Sequence, residues 1–371
     1  MVQGTLRISK ARDFIKKPFL SFELLFLIAL YFQHFRGVKF LIIQTAFIGD
    51  VILATGVLEK IQQNYPGSEI DFLLRKGNEG LLQGHPYLHR LWIWDKKKNK
   101  LPNLFRLLRQ FRSEHYDHII NLHRFASSGI LTAFSGAKHS YGFKKNPLSF
   151  FFEKSFPHPI GKKGQPYLHE TERNHALVRD LTDPQPALPR LYPSAKDEES
   201  ISSYQTRPYV CIAPASVWFT KQWPEDKWVE LVQQLPADLN IYLLGAPSDK
   251  ELGNRIREKS GRPNTRVLCG ELSFLQSAAL MRSAIMNYVN DSAPLHLATA
   301  VNAPVTAVFC STIPEFGFGP LGDLSFIVET HENLSCRPCG LHGHKHCPQG
   351  HFRCANTITV KAVLESIKHL H

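Results

Sequence analysis

Asp50 follows Gly49 in the stretch QTAFIGDVILATGVL, residues 44 to 58, directly after the apolar run Lys39 to Ile43. A carboxylate at the mouth between a buried strand and the next helix can act in two ways. It can accept the free N–H groups of the helix's first turn, where the dipole also favours an anion. It can also take a proton from a hydroxyl held against that mouth, with Gly49 leaving room for close approach. Spacing does not decide between cap and base. A second constellation is Asn290, Asp291 and Ser292, between an apolar strand and a helix starting near Ala293-Pro294. Proline suits a helix's first turn, and the N–H groups there can cradle a diphosphate. A third is CRPCGLHGHKHCPQGHFRC, which gathers Cys336, Cys339, Cys347 and Cys354 in one loop with His342, His344, His346 and His351. A Cys-x2-Cys pair with two further cysteines suits a structural tetrahedral zinc; free thiols or a redox-sensitive pair is the other reading.

The elements around these residues alternate. Strand-like runs KFLIIQT, EIDFLL, LWIWD, DHIINLH and HSYGF are separated by candidate helices at 51–64, 102–114 and 126–136. After a Pro-, Phe- and Lys-rich stretch and a helix from Glu170, a second series begins: YVCIAPA, helix 224–235, NIYLLGA, helix 248–259, TRVLCG, helix 273–283, AIMNYVND, helix 293–301 and PVTAVFC. Continuous apolar strands alternating with amphipathic helices predict α/β domains with parallel sheets covered on both faces. The expected organisation is an N-terminal segment 1–37, a first Rossmann-like domain 38–190, a linker 191–207, a second such domain 208–357 carrying the Cys-rich loop 336–354, and a closing helix 358–371. Two such domains leave a cleft at their strand C-terminal ends, where open α/β sheets bind ligands.

Length and composition agree with this. The 371 residues suggest two domains of about 150 residues each, and 43% apolar against 20% charged residues is globular composition. Lys and Arg exceed Asp and Glu by 44 to 32, a net +12, which points to an anionic partner. Cys211, Cys269 and Cys310 lie singly in apolar stretches, as in a reduced, cytoplasmic chain. Near the N-terminus, the basic RISKARDFIKK precedes PFLSFELLFLIALYF, residues 18 to 32, which includes Glu23. This run falls short of the roughly 20 apolar residues a bilayer span needs. It reads as a membrane-interface segment or as a helix packed on the first domain. No Walker-type loop or single-domain dinucleotide fingerprint is visible, which lowers kinase and dehydrogenase readings.

FLIIQTAFIGDVILATGVL, APASVWFTKQWPEDKW and NDSAPLHLATAVNAPVTAVF, in that order and spacing, resemble the three signature regions of the ADP-heptose:lipopolysaccharide heptosyltransferases. The resemblance runs from about residue 38 to the C-terminus. It implies a GT-B fold of two facing Rossmann-like domains and inverting heptosyl transfer from ADP-heptose to the lipopolysaccharide inner core, at the cytoplasmic face of the inner membrane. Asp50 would be the catalytic base, with Thr45 and Gly49 on the acceptor-side loop. Lys221, Ser292 and the backbone from Ala293 would hold the donor's phosphates, Ser216 would contact the donor, Asp291 would bind its sugar hydroxyls, and His296 would orient the motif or simply pack. Gly245 and Asp249 fall where related enzymes line the nucleotide, and FGFGPLG, residues 316 to 322, would be a cleft loop. No cofactor is implied for catalysis.

Two positions depart from the pattern: Ala293 stands where glycine is common and Gly56 where proline is frequent. A methyl group at 293 could narrow the phosphate approach. Cysteine-rich loops also occur in some heptosyltransferases, and the loop tilts the resemblance toward the enzyme adding the second heptose. One rival is a GT-B enzyme using another nucleotide sugar. The other is a nucleic-acid-binding protein using the zinc loop. That reading needs basic residues clustered with exposed aromatics, whereas here they are spread along the chain, so no nucleic-acid partner is expected.

Overall fold

The computed structural model describes residues 37–370; the basic, apolar N-terminal segment lies outside the described residues. Among the described residues twelve strands form two parallel six-stranded sheets. The first has the order β3-β2-β1-β4-β5-β6, with β1 Lys39–Ile43, β2 Glu69–Arg75, β3 Arg90–Trp94, β4 His118–Asn121, β5 His139–Phe143 and β6 Lys154–Phe156. The second has the order β12-β11-β10-β7-β8-β9, with β7 Tyr209–Ala213, β8 Asn240–Leu243, β9 Thr265–Val267, β10 Met286–Asn290, β11 Val305–Phe309 and β12 Ser325–Glu329. In each sheet the central strand, β1 or β10, ends at one of the candidate motifs. The order reverses there, so the crevice where open sheets bind ligands lies at those strand ends.

The period-two alternation of side chains sends each strand's residues to two different layers. On β1, Leu41 and Ile43 join Leu73, Trp94 and Ile119 beneath α2 (Lys100–Glu114) and α3 (Ala126–Ala133), which supply Leu104, Leu107, Phe111 and Leu131. Phe40 and Ile42 face the other way, onto Val51, Ile52 and Ala54 of α1 (Ile48–Asn64). That core continues without a break into the second half through Leu295, Leu297 and Ala298 of α9 (Ala293–Ala300) and Leu275 and Ala278 of α8 (Phe274–Arg282). The far face of the second sheet carries its own core, with Trp223 and Trp228 crossing at 86°. Trp228 belongs to α6 (Glu225–Gln234), and Ile256 of α7 (Lys250–Ser260) joins the same layer.

The strands and long helices fall where the hydrophobic pattern puts them, and the two-domain α/β, GT-B-type arrangement is as expected. The connecting segment differs. Residues 191–207 contain α5 (Ala195–Ile201), started by a capping box in which Ser194 Oγ accepts from Asp197 N–H and Asp197 accepts from Ser194 N–H. Ile201 and Leu191 are buried in the continuous core. Just before it, residues 183–192 are clamped on α1. Arg190 N–H donates to Thr55 Oγ1 at 2.9 Å, Tyr192 Oη to Glu59 at 2.9 Å, and Lys60 pairs with Asp183. Gly56 is the residue that lets this happen, since a Cβ there would lie 2.7 Å from Ala187 O. The run ETERNHALVRDL, residues 170–181, reads as one helix in sequence, but α4 spans only Glu170–His175. The C-terminal helix is α11 (Val360–Leu364), continued by a 3-10 turn, after the short α10 (Arg353–Asn356).

Candidate active site

The chain leaves β1 through Gln44 and Thr45. Thr45 Oγ1 lies 3.3 Å from His123 Nδ1 and accepts from Lys96 Nζ at 2.8 Å. Asp50 sits in the first turn of α1, and its Oδ2 accepts from Phe47 N–H at 3.1 Å. It is therefore a cap. It is also half-buried, and that environment gives it acid–base character. Burial pushes its pKa from 3.8 to about 6, Glu170 pushes the same way, and the Phe47 N–H and Arg124 pull it down. Capping and proton transfer are compatible here, because a carboxylate has more lone pairs than one N–H uses.

Gly49 is filled differently from the expectation. A Cβ on it would lie 2.6 Å from His296 Cδ2 and 3.2 Å from Nε2. The space freed by the missing side chain is thus taken by an imidazole from α9, in the other half of the molecule. His296 is buried, its Nδ1 has no hydrogen-bond partner among the described residues, and burial holds the ring neutral with a pKa of about 4.

Across this contact lie the donor-side candidates. Asn290 ends β10 and uses its carboxamide to tie down the segment after β7, accepting from Trp223 N–H at 2.9 Å and donating to Pro214 O at 2.8 Å. That segment contains Ser216, whose carbonyl accepts from Gln222 Nε2 at 2.7 Å, and the 3-10 turn Phe219–Lys221. Lys221 Nζ meets Asp291 Oδ2 at 2.7 Å, with only 15% and 7% of the two side chains exposed. Thr312 Oγ1 donates to the same oxygen at 2.6 Å. Ser292 occupies the N-cap position of α9 without capping it through its side chain, and Ala293 is the first helical residue. Lys221, Ser216, Asp291, Ser292, Ala293 and His296 therefore share one corner. Gly245 and Asp249, after β8, serve their own turn: Asp249 Oδ2 accepts from Ala246 N–H at 2.8 Å, and a Cβ on Gly245 would meet Asp249 at 2.9 Å.

The four cysteine thiols are neighbours in the fold: Cys336, Cys339 and Cys347 all act electrostatically on Cys354, and Cys336 and Cys347 on Cys339. Among the described residues no group of three or more His, Cys, Asp or Glu side chains is placed to hold a metal ion. Cys336 Sγ lies 3.9 Å from His351 Nε2, and Cys354 is buried. What the loop does is wall the lysine. Thr220 N–H donates to His344 O at 3.1 Å, and His344 N–H donates to Thr220 Oγ1 at 2.7 Å. Gly343, at φ +77°, passes so close that a Cβ would lie 2.8 Å from Thr220 Oγ1 and 3.1 Å from Lys221 Cγ. Sequence reasoning missed Thr220 and Gly343 and read His344 only as part of the Cys-rich loop; a glycine inside a run of histidines was the available signal. It also missed the partner of loop 316–322. Glu170 N–H donates to Gly317 O at 2.8 Å, Arg173 to Phe316 O at 2.9 Å, and His169 Nε2 lies 3.1 Å from Gly319 O. Buried Glu170 is itself held by His158 at 3.0 Å and Arg173 at 2.8 Å.

The family model described as glycosyltransferase family 9 (heptosyltransferase) matches residues 104–346. The chain is 28% identical over 286 residues to the lipopolysaccharide heptosyltransferase 3 of Escherichia coli, covering 72% of this chain and 82% of the relative. Its fold matches the solved structure of the E. coli ADP-heptose lipopolysaccharide heptosyltransferase II with a TM-score of 0.72 at 23% identity, covering 90% of this chain and 98% of that one. It matches a family 9 glycosyltransferase from Veillonella parvula with a TM-score of 0.76 at 20% identity, covering 90% and 97%.

Proposed function

The chain belongs to glycosyltransferase family 9, the heptosyltransferases, and from that premise we propose that it moves heptose from ADP-heptose to a hydroxyl of the lipopolysaccharide inner core, with inversion at the anomeric carbon. The observation that carries the mechanism is the placement of Asp50, raised to about pKa 6, across the Gly49–His296 contact from the Lys221–Asp291 pair.

In this reading Asp50 takes the proton of the acceptor hydroxyl as its oxygen attacks the anomeric carbon. The sugar–phosphate bond breaks and negative charge grows on the departing ADP. Groups aimed at a developing charge contribute more than groups that bind ground and transition states alike. Lys221 and the backbone N–H groups opening α9 are those groups. In the free protein, Asp291 holds the Lys221 ammonium at that corner; when donor binds, the diphosphate takes the lysine and Asp291 turns to the sugar hydroxyls. His296, neutral and packed on Gly49, keeps the base and the phosphate corner in register.

The acceptor side is cationic. Arg75, Lys96, Arg124 and Lys144 stand at or just after the C-terminal ends of β2, β3, β4 and β5, on either side of Asp50. Lys96 is partly buried, and burial together with Arg75 and Lys100 lowers its pKa to about 8. A phosphorylated, acidic glycan suits such a row. Among the described residues no helix is long and apolar enough to cross a membrane, and we place the enzyme peripherally at the cytoplasmic face of the inner membrane, where donor and acceptor meet. The test is to incubate the protein with ADP-heptose and heptose-deficient lipopolysaccharide and read the new linkage by NMR. A heptose with inverted anomeric configuration supports the reading; retained configuration removes Asp50 as a simple base.

A further inference from the structure

The layer formed by α2 and α3 covers the face of the first sheet that points away from the second half, and its outer surface is apolar and basic at once. On α2, Leu104, Leu107 and Phe111 are buried against the sheet, while Leu101 and Phe105 are 62% and 63% exposed. Arg109 and Arg112 continue the same stripe at helical spacing. Arg112 Cγ lies 4.0 Å from where a Cβ on Gly136 would be, so the stripe ends beside the exit of α3. There Phe134, 45% exposed, stands 5.6 Å from the ring of Phe151, which stands 4.2 Å from that of Phe150. Phe151 and Phe150 are 53% and 75% exposed.

The charge around these side chains is predominantly basic, with Glu153 beside Phe151 and Phe152 and paired with His139 as the acid nearest the patch. Residues 96–113 contain Lys96, Lys97, Lys98, Lys100, Arg106, Arg109 and Arg112 and no Asp or Glu. Residues 134–152 contain Lys138, Lys144 and Lys145 and again no acid, although Lys138 reaches Asp117 at 2.7 Å. Single exposed apolar residues are ordinary, but a contiguous patch such as Phe134, Phe151 and Phe150 needs a reason. The fold thus gathers beside exposed aromatics basic residues that sequence order spreads along the chain. A nucleic-acid strand would stack on aromatics lining a groove, and a protein partner would favour few lysines, whereas phenylalanine and leucine side chains ringed by lysine and arginine match an anionic headgroup layer, with the apolar groups entering the interface and the cations meeting lipid phosphates.

We propose that this α2–α3 face, with Leu101, Phe105, Phe134, Phe150 and Phe151 as its apolar contacts, docks the protein on an anionic bilayer. The surface is read without reference to the transfer chemistry, and its test needs neither substrate. The full chain is floated with vesicles of phosphatidylcholine alone and of phosphatidylcholine with phosphatidylglycerol. The variants are Phe105→Ser/Phe150→Ser/Phe151→Ser and, separately, Arg106→Gln/Arg109→Gln/Arg112→Gln, with ADP affinity and melting temperature as controls for folding. Wild type is expected to bind the anionic vesicles and hardly the neutral ones, with binding weakened about tenfold in either variant. The arginine variant should also lose much of its salt dependence. Wild type failing to bind phosphatidylglycerol vesicles overturns the proposal. So does undiminished binding by both variants, which would assign attachment elsewhere, such as the basic residues before position 37. A wild-type dimer that the aromatic variant converts to monomer, with vesicle binding unchanged, would make the face a contact between copies and would also overturn it.

Discussion

The ring of His296 stands where Gly49 would carry its side chain, 2.6 Å from the ideal β-carbon position. Base turn and phosphate-side helix thus meet through one glycine and one imidazole.

Adding a methyl group at position 49 must push α1 and α9 apart or turn the imidazole. Gly49→Ala is expected to destabilise the protein by about 1–3 kcal/mol, the usual cost of overpacking, and to lower turnover. His296→Ala should relieve part of that loss. A double-mutant cycle on melting and turnover checks it: coupling of at least about 0.5 kcal/mol is expected between residues in contact, and strict additivity would mean the contact does not constrain the site.

A base must be ionised to accept a proton, so turnover is expected to rise with pH through a limb near the Asp50 pKa of about 6. The stability effect has the opposite sign. Because the folded pKa lies above the ordinary 3.8, folding favours the protonated form. That contribution is complete below about pH 4 and is lost as pH rises through about 6. Asp50→Asn should therefore lose the pH limb and about two to four orders of magnitude in turnover, yet melt no lower than wild type at pH 8. Lower melting with near-normal turnover would make Asp50 a cap and nothing more.

Lys221→Ala strands the Asp291 carboxylate, 93% buried at its side chain by the 7% that stays exposed. Breaking a buried pair from one side costs about 3 kcal/mol or more, and the lost phosphate contact should weaken ADP binding at least about tenfold. Adding Asp291→Asn should restore melting without restoring ADP affinity. Calorimetry that returns wild-type affinity for Lys221→Ala would take the lysine out of the phosphate site.

Gly343→Ala places a methyl group 2.8 Å from Thr220 Oγ1 at a φ of +77°, strained on both counts. The prediction is weaker ADP binding with little change in global melting, because the Cys-rich loop is a wall of the lysine site and not part of a core. Unchanged ADP affinity would reduce the loop to a neighbour.

Much of this could be read from residue order, and what could not has a common cause. Parallel strands and their helices follow from runs such as FLII and YVCIA, which are apolar on both faces. Asp50, Lys221 and Asp291 lie in the segments that follow β1, β7 and β10, strand ends that topology places on one edge. Contacts between halves leave no trace in local pattern: Gly49 shows only that something comes close, and His296 shows only a polar residue in a buried helix. Gly56 looks like a helix defect until Ala187 is seen crossing it. The short edge strands β6 and β12 are half-exposed and carry little periodic signal, and the Ser194 capping box hides in a stretch that looks like polar linker.

The most direct test of the central claim is a transfer assay offering ADP-heptose, ADP-glucose and UDP-glucose separately to heptose-deficient core lipopolysaccharide, with wild type and Asp50→Asn. The account predicts transfer from ADP-heptose alone, abolished in the mutant while ADP still binds. Efficient transfer from another donor, or an Asp50→Asn enzyme that turns over normally, would contradict it.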